Sequence, residues 1–250
     1  LVLGKNTIEG CNDMEEPSEI IAVMLRNLIN IQEMGEVEDF NKISEIDNLM
    51  QIIKSKEIPP VVKSGVKRLD NFMFGWEYGE MVVLAGAPSM GKTALALEIF
   101  KNAIFLNYKP VFFSLEMTDK ALMKRMFAAH GEVELSKMRS MDLDETDIDK
   151  LQNAANLFKE HDFWIDFKTR KITKICNHIR KFVIRHGTKL VILDYLQLAD
   201  CDGVKTSNRE QQIAIMSRSL KEVAAELEIV IIPLSQINRG VNSRENKRPM

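Results

Sequence analysis

From Val61 onward the chain alternates between two kinds of hydrophobic pattern. Short apolar-rich runs at 81–85, 111–115, 162–167, 189–193 and 229–234 have the length of strands. The segments between them, at 92–106, 118–130, 144–160, 172–186 and 208–227, read as helices. Leu190-Val191-Ile192-Leu193 and Ile229-Val230-Ile231-Ile232 show no polar alternation, so both of their faces must be covered. Strand alternating with helix predicts an α/β domain on a mostly parallel sheet, covered by helices on both faces.

Residues 1–57 follow a different pattern. Ile20 to Ile31 reads as helical, and Glu33 to Asp39 as a solvated acidic stretch. A second amphipathic segment spaces Ile43, Ile46, Met50 and Ile53 at three- and four-residue steps. Pro59-Pro60 closes it as a stiff boundary. This stripe has little in its own segment to cover it, so it packs on its own domain or on a neighbouring subunit. The expected organisation is a helical appendage or linker over 1–57 and one large domain over 58–250.

A chain of 250 residues, 45% hydrophobic and 28% charged, has ample material for a core. No apolar run approaches the length of a membrane span, and no signal peptide opens the sequence. The three cysteines are widely spaced without a Cys-x-x-Cys pair, which predicts reduced thiols in a cytoplasmic protein and no cysteine-bound metal. The net charge of −2 hides an asymmetry: residues 1–60 hold five Lys/Arg against twelve Asp/Glu, and the rest holds 29 against 24. A mildly basic large domain is compatible with nucleic acid without demonstrating it.

Gly86-Ala87-Pro88-Ser89-Met90-Gly91-Lys92-Thr93 fits Gly-x-x-x-x-Gly-Lys-Thr between a predicted strand and a predicted helix. A strand, a glycine turn and a helix start leave backbone N–H groups aimed at one spot, where a polyphosphate supplies acceptors. Lys92 adds a point charge for the β- and γ-phosphates, and the Thr93 hydroxyl is a ligand for Mg²⁺. In an open parallel sheet ligands collect at the carboxyl ends of the strands. Three further predicted strands run into polar residues there: Glu116, Asp194 and Ser235-Gln236. Asp194, after four apolar residues, suits a carboxylate near the Mg²⁺ shell. Glu116 is either the base that deprotonates the attacking water, its pKa raised by partial burial, or a cap for the helix near Thr118. Gln236 is either a γ-phosphate sensor or a polar strand end. Tyr195 and Gln197 either act at the site or simply pack. Two polar, basic stretches are candidate nucleic-acid loops: Asp202 to Arg209, and the cluster Arg239, Arg244, Lys247 and Arg248. Neither has aromatic residues to stack bases, so binding there would be to the backbone.

Taken in order, these motifs resemble the DnaB family of replicative DNA helicases, in its RecA-like C-terminal domain. The specific pieces are Ala85 to Thr93, Ser114-Leu115-Glu116-Met117, Leu193-Asp194-Tyr195-Leu196-Gln197-Leu198, Ser217-Arg218-Ser219-Leu220-Lys221 and Leu234 to Arg239, with Gly65 to Asp70 leading in. The resemblance implies a RecA-like P-loop NTPase that uses ATP and Mg²⁺, forms a hexameric ring and moves 5′ to 3′ on single-stranded DNA. It makes Glu116 the catalytic base and Gln236 the nucleotide sensor, and places Arg125 near the nucleotide. It makes the segment at 41–55 a linker helix that docks on the adjacent subunit, and implies primase and a helicase loader as partners. A RecA-type recombinase shares fold and chemistry, and an ATP-binding assembly scaffold is a rival from another class.

Against this resemblance, the family's N-terminal helical domain is expected to be absent or reduced to residues 1–38. The sequence stops at Met250, before the place where the family carries its arginine finger. The expectation is a chain that binds nucleotide yet turns it over slowly. A multiple-turnover assay giving full helicase-like rates on single-stranded DNA would contradict it.

Overall fold

The computed structural model describes residues 42–55, 60–201 and 208–237. The predicted helix at 20–31, the acidic stretch at 33–39, the polar loop over 202–207 and the Arg239–Arg248 cluster lie outside the described residues. Two compact units divide at Ile58/Pro59. In the first, helix α1 (Lys42–Ser55) carries the predicted stripe, with Ile46 60%, Met50 43% and Ile53 57% exposed.

The second unit opens with a small antiparallel pair, β1 (Val61–Val62) and β2 (Trp76–Glu77), around helix α2 (Lys67–Met73). Periodicity could not find these two-residue strands. They are held instead by polar contacts: the Asp70 carboxylate accepts from Ser64 N, Ser64 Oγ and Gly65 N at 2.8, 2.7 and 3.0 Å. Gly65 has φ +71°, and a Cβ there would stand 2.4 Å from Asn102 Cβ. Only glycine fits.

The main sheet has five parallel strands in the order β3-β7-β6-β4-β5. They are β3 (Leu84–Gly86), β4 (Val111–Ser114), β5 (Trp164–Asp166), β6 (Leu190–Asp194) and β7 (Val230–Gln236). The helices are α3 (Lys92–Phe105), α4 (Asp119–Gly131), α5 (Leu135–Ser140), α6 (Glu145–Lys159), α7 (Ile172–His186) and α8 (Arg209–Leu227). The predicted run at 81–85 forms a regular ladder only from Leu84, although Met81 already bridges Ile231 in the same register. The six-residue α5 was missed because so short a helix shows no periodicity.

Alternation along the strands builds two cores. Phe112, Leu190, Ile192, Val230, Ile232 and Leu234 face one side, against Ile99, Phe100 and Ile104 of α3 and Leu122 and Met126 of α4. Val111, Phe113, Val191, Leu193, Ile229 and Ile231 face the other, against Ile175 and Ile179 of α7 and Leu220 and Val223 of α8. This is why the runs looked apolar throughout: neighbouring residues serve different cores. Among the described helices none is long and apolar enough to cross a membrane.

Phe100 is fully buried, edge-on to Phe112 and Phe163 at ring centroid distances of 5.3 and 5.9 Å. Phe100→Ala should cost about 3–5 kcal/mol. Urea unfolding checks this, and a loss under about 1 kcal/mol would show a core that collapses around the cavity.

Candidate active site

The loop between β3 and α3 turns on two left-handed residues, Ser89 at φ +63° and Gly91 at φ +84°. Gly91 is the N-cap of α3 and supplies no side-chain cap, and no acidic residue stands in the first turn. The first N–H groups of α3 are therefore left to an external anion. Lys92 folds back over the loop, donating from Nζ to Gly86 O at 2.7 Å and Ala87 O at 2.9 Å. A Cβ on Gly86 would sit 3.2 Å from Lys92 Cγ, so this glycine makes room for the lysine. The last strand, β7, completes the loop's frame: Gly86 pairs with Gln236, and Ile237 N donates to Gly86 O at 3.1 Å.

Asp194 ends β6 beside Ser114 of β4, and its carbonyl accepts from Leu115 N at 2.7 Å. Its side chain is 2% exposed, and Oδ2 has no hydrogen-bond partner among the described residues. Burial pushes its pKa up, and the nearby negative charge of Glu116 adds to that. The Thr93 hydroxyl, Lys92 and Arg125 pull the other way without cancelling it. One carboxylate thus senses Thr93, Glu116, Lys92 and Arg125, four of the residues singled out from sequence. The peptide bond from Asp194 to Tyr195 is cis.

Glu116 stands two residues beyond the end of β4 and is exposed. The expected partial burial is therefore absent: Leu115 is the last buried residue, and Glu116 steps out onto the open rim. The helix-capping alternative is not used either, because Thr118 caps α4 by accepting from Ala121 N. The turn that presents Glu116 is stapled by buried Ser114, whose Oγ donates to Met117 O at 2.9 Å and accepts from Met117 N at 3.3 Å. Arg125 lies on α4 in the wall of a groove of about 380 Å³ that it shares with Leu97, Glu98 and Lys101 of α3.

Gln197 turned out to be more than a packing residue. It sits in a 3-10 turn (Leu196–Leu198) after β6, and its amide spans 38 residues of sequence to reach β7. Nε2 donates to Ser235 Oγ at 2.8 Å and Gln236 O at 3.3 Å, while Oε1 accepts from Gln236 N at 3.3 Å. Arg209, at the start of α8, donates to Gln197 O and to Ala199 O. The only sequence signal was one polar residue between two leucines, which says nothing about the partner.

Among the described residues no group of three or more His, Cys, Asp or Glu could hold a metal by itself. A magnesium ion bound with phosphates needs only one or two protein oxygens, and the rest of its shell is phosphate and water. The Thr93 hydroxyl and the unpaired Asp194 Oδ2 are hard oxygen donors of that kind, and a cation there would offset the cost of the buried charge.

The family model of the DnaB-like helicase C terminal domain matches residues 61–250. The replicative DNA helicase DnaC of Bacillus subtilis is 30% identical over 97% of this chain and 55% of its own length. The replicative DNA helicase DnaB of Geobacillus stearothermophilus is 32% identical over 90% of this chain and 51% of its own. The chain thus spans about half the length of these relatives. Among solved structures, an isolated ATPase domain superposes with a TM-score of 0.77 at 32% identity, covering 85% of this chain and 77% of that one. A DnaB-like replicative helicase, solved in a study of its interactions with primase, gives 0.80 at 29% identity, covering 100% of this chain and 59% of that one.

Because burial raises the Asp194 pKa, the folded state holds that proton more tightly than the unfolded chain. The stability linked to this group is complete below the ordinary value of 3.8 and is lost as pH rises through the raised native value. Without ligand, Asp194→Asn should therefore raise the melting temperature relative to wild type at about pH 8, with the gain fading toward about pH 4. A difference that does not vary with pH would overturn the burial account.

Proposed function

The chain belongs to the family of DnaB-like helicase C-terminal domains, and we propose that it is the ATP-hydrolysing motor of a replicative DNA helicase. The observation that carries this is the buried Asp194 carboxylate, its Oδ2 without a partner among the described residues, on the same sheet rim as the Gly86–Thr93 loop. In this reading the backbone N–H groups at the start of α3 bind the phosphates of ATP. Lys92 exchanges its two loop carbonyls for β- and γ-phosphate oxygens. Thr93 and Asp194 hold Mg²⁺, which when bound neutralises charge on the phosphates. Glu116 accepts a proton from water as the water oxygen bonds to the γ-phosphorus and the bond to the β,γ-bridging oxygen breaks, leaving ADP. Arg125 adds positive charge at the margin of the site.

Gln236 is the sensor in this scheme, and Gln197 is its positioning partner. A shift of Gln236 on loss of the γ-phosphate would be passed through Gln197 to Arg209 and the start of α8. Residues 202–207 lie between Gln197 and Arg209 in sequence and those after Ile237 follow Gln236, so nucleotide state can alter a grip on single-stranded DNA. The working assembly is a hexamer moving 5′ to 3′. The exposed stripe of α1 packs on an adjacent subunit as a linker helix, and primase and a loader are the partners. The primase assignment is supported by the DnaB-like helicase studied together with primase. The exposure of Glu116 in a single chain fits a site that a neighbouring subunit covers.

Lys92→Ala should abolish binding of a fluorescent ATP analogue. Glu116→Gln should keep that binding while lowering phosphate release in the presence of oligo(dT) by about 10²–10⁴-fold. Unchanged turnover in Glu116→Gln would remove Glu116 as the base and favour an ATP-binding scaffold.

A further inference from the structure

The turn joining β5 to α7 and the first turn of that helix hold four exposed cations in seven residues: Lys168, Arg170, Lys171 and Lys174. None of them has a carboxylate partner among the described residues. Lys101, Lys137, Arg180 and Arg218 pair with Glu98, Asp147, Glu226 and Glu222, while Lys63, Lys67, Lys120 and Lys221 are exposed without an ion pair among the described residues, so it is the density of cations that marks this segment. No acidic residue occupies the first turn of α7. The carboxylate that might have neutralised the turn, Asp166, is directed into it. It accepts from Lys168 N at 2.9 Å, Thr169 N at 2.9 Å and Thr169 Oγ1 at 2.7 Å, with His178 Nδ1 at 3.0 Å. Those bonds fix the backbone, so the cations stand on a pre-formed turn and little order need be gained on binding.

The position of this turn narrows what it can bind. β5 is the edge strand farthest from β3, four strand spacings or about 19 Å across the sheet. These cations are therefore out of reach of a triphosphate in the Gly86–Thr93 loop of the same chain. They are tied instead to the segment that follows β6. Lys171 bridges Asp200, Ile172 N donates to Asp200 O at 2.9 Å, and Asp200 N donates to Arg170 O at 2.9 Å. Asp200 is exposed and forms no ion pair with Lys171, so four cations stand against the two carboxylates Asp166 and Asp200 and the segment stays net positive. Phe167, 37% exposed, adds an aromatic face beside the cations, the one feature that both basic stretches noted in the sequence lack.

We propose that the Phe167–Lys174 turn is a further contact for the phosphodiester backbone of single-stranded nucleic acid. Phe167 would be available to stack on a base. The inference rests on the reading of the chain as a motor on single-stranded DNA, and it assigns that reading a binding element outside the loops that adjoin Asp194 and Gln236.

The test is the salt dependence of binding to fluorescent oligo(dT), with ATP analogue and Mg²⁺ present. Lys168→Gln combined with Arg170→Gln and Lys171→Gln should lower the slope of log affinity against log salt by about 2, at about 0.7 per lost contact. The advantage of wild type should then shrink roughly tenfold between about 50 and 200 mM salt. Lys168→Arg with Lys171→Arg should retain wild-type binding, and nucleotide affinity should be unchanged in both variants. Should the triple variant fail to fold, Lys174→Glu on the exposed side of α7 carries the same test and should weaken binding by itself. Equal slope and affinity in wild type and variant would overturn the proposal and leave the motor reading intact. A wild type that does not bind oligo(dT) would overturn both. Competition by poly-glutamate as effective as by oligo(dT) would make the turn a general dock for acidic chains and overturn the nucleic-acid assignment.

Discussion

Burying a carboxylate costs free energy, and Asp194 is buried with one oxygen unpaired among the described residues. The rest of the site is arranged around that cost. Burial and Glu116 make ionisation harder, while Thr93, Lys92 and Arg125 ease it without removing the penalty. A cation beside this carboxylate would offset that cost, and the nearby protein oxygen suited to share one is the Thr93 hydroxyl. The Thr93 backbone lies in the same helix start that leaves N–H groups free for phosphate.

The parallel sheet makes this meeting possible. Because β3, β7, β6 and β4 are parallel neighbours, their carboxyl ends share one rim. The phosphate loop, Gln236, Asp194 and the Glu116 turn therefore emerge side by side from residues far apart in sequence. The two cores hold the strands rigidly from both faces, so the rim is set by packed Phe, Ile, Leu and Val side chains rather than by the polar groups themselves. The polar bonds do finer work. Ser114 shapes the turn that carries Glu116, and Gln197 couples the end of β6 to the end of β7.

That coupling gives the rim a direction of communication. Gln197 touches both Ser235 and Gln236 on one side, and its carbonyl takes Arg209 of α8 on the other. The Lys171–Asp200 bridge extends the same connected backbone to the basic turn on the far edge strand. Hydrogen bonds thus connect the end of β7, the segment after β6 and the turn on the far edge strand.

The sequence by itself determined the α/β class, the order of the five main strands along the chain, the glycine loop between a strand and a helix and the polar residues that end three strands. Those are local properties: apolar run length, glycine spacing and the residue that follows a strand. It also carried the family, because several short motifs stood in the right order. The Val61–Glu77 pair, the short α5 and the true span of β3 were not legible, since two- to six-residue elements leave no periodic trace. Nor could sequence choose between the alternatives left open for Glu116 and Gln197. Partial burial of Glu116 was expected from its type, and only the open rim decided its exposure. The partner of Gln197 appeared only when a strand 38 residues away came alongside. Strand order, the depth at which Asp194 is buried and the partner of each polar group depend on which segments fold next to one another, and only the tertiary structure decides that.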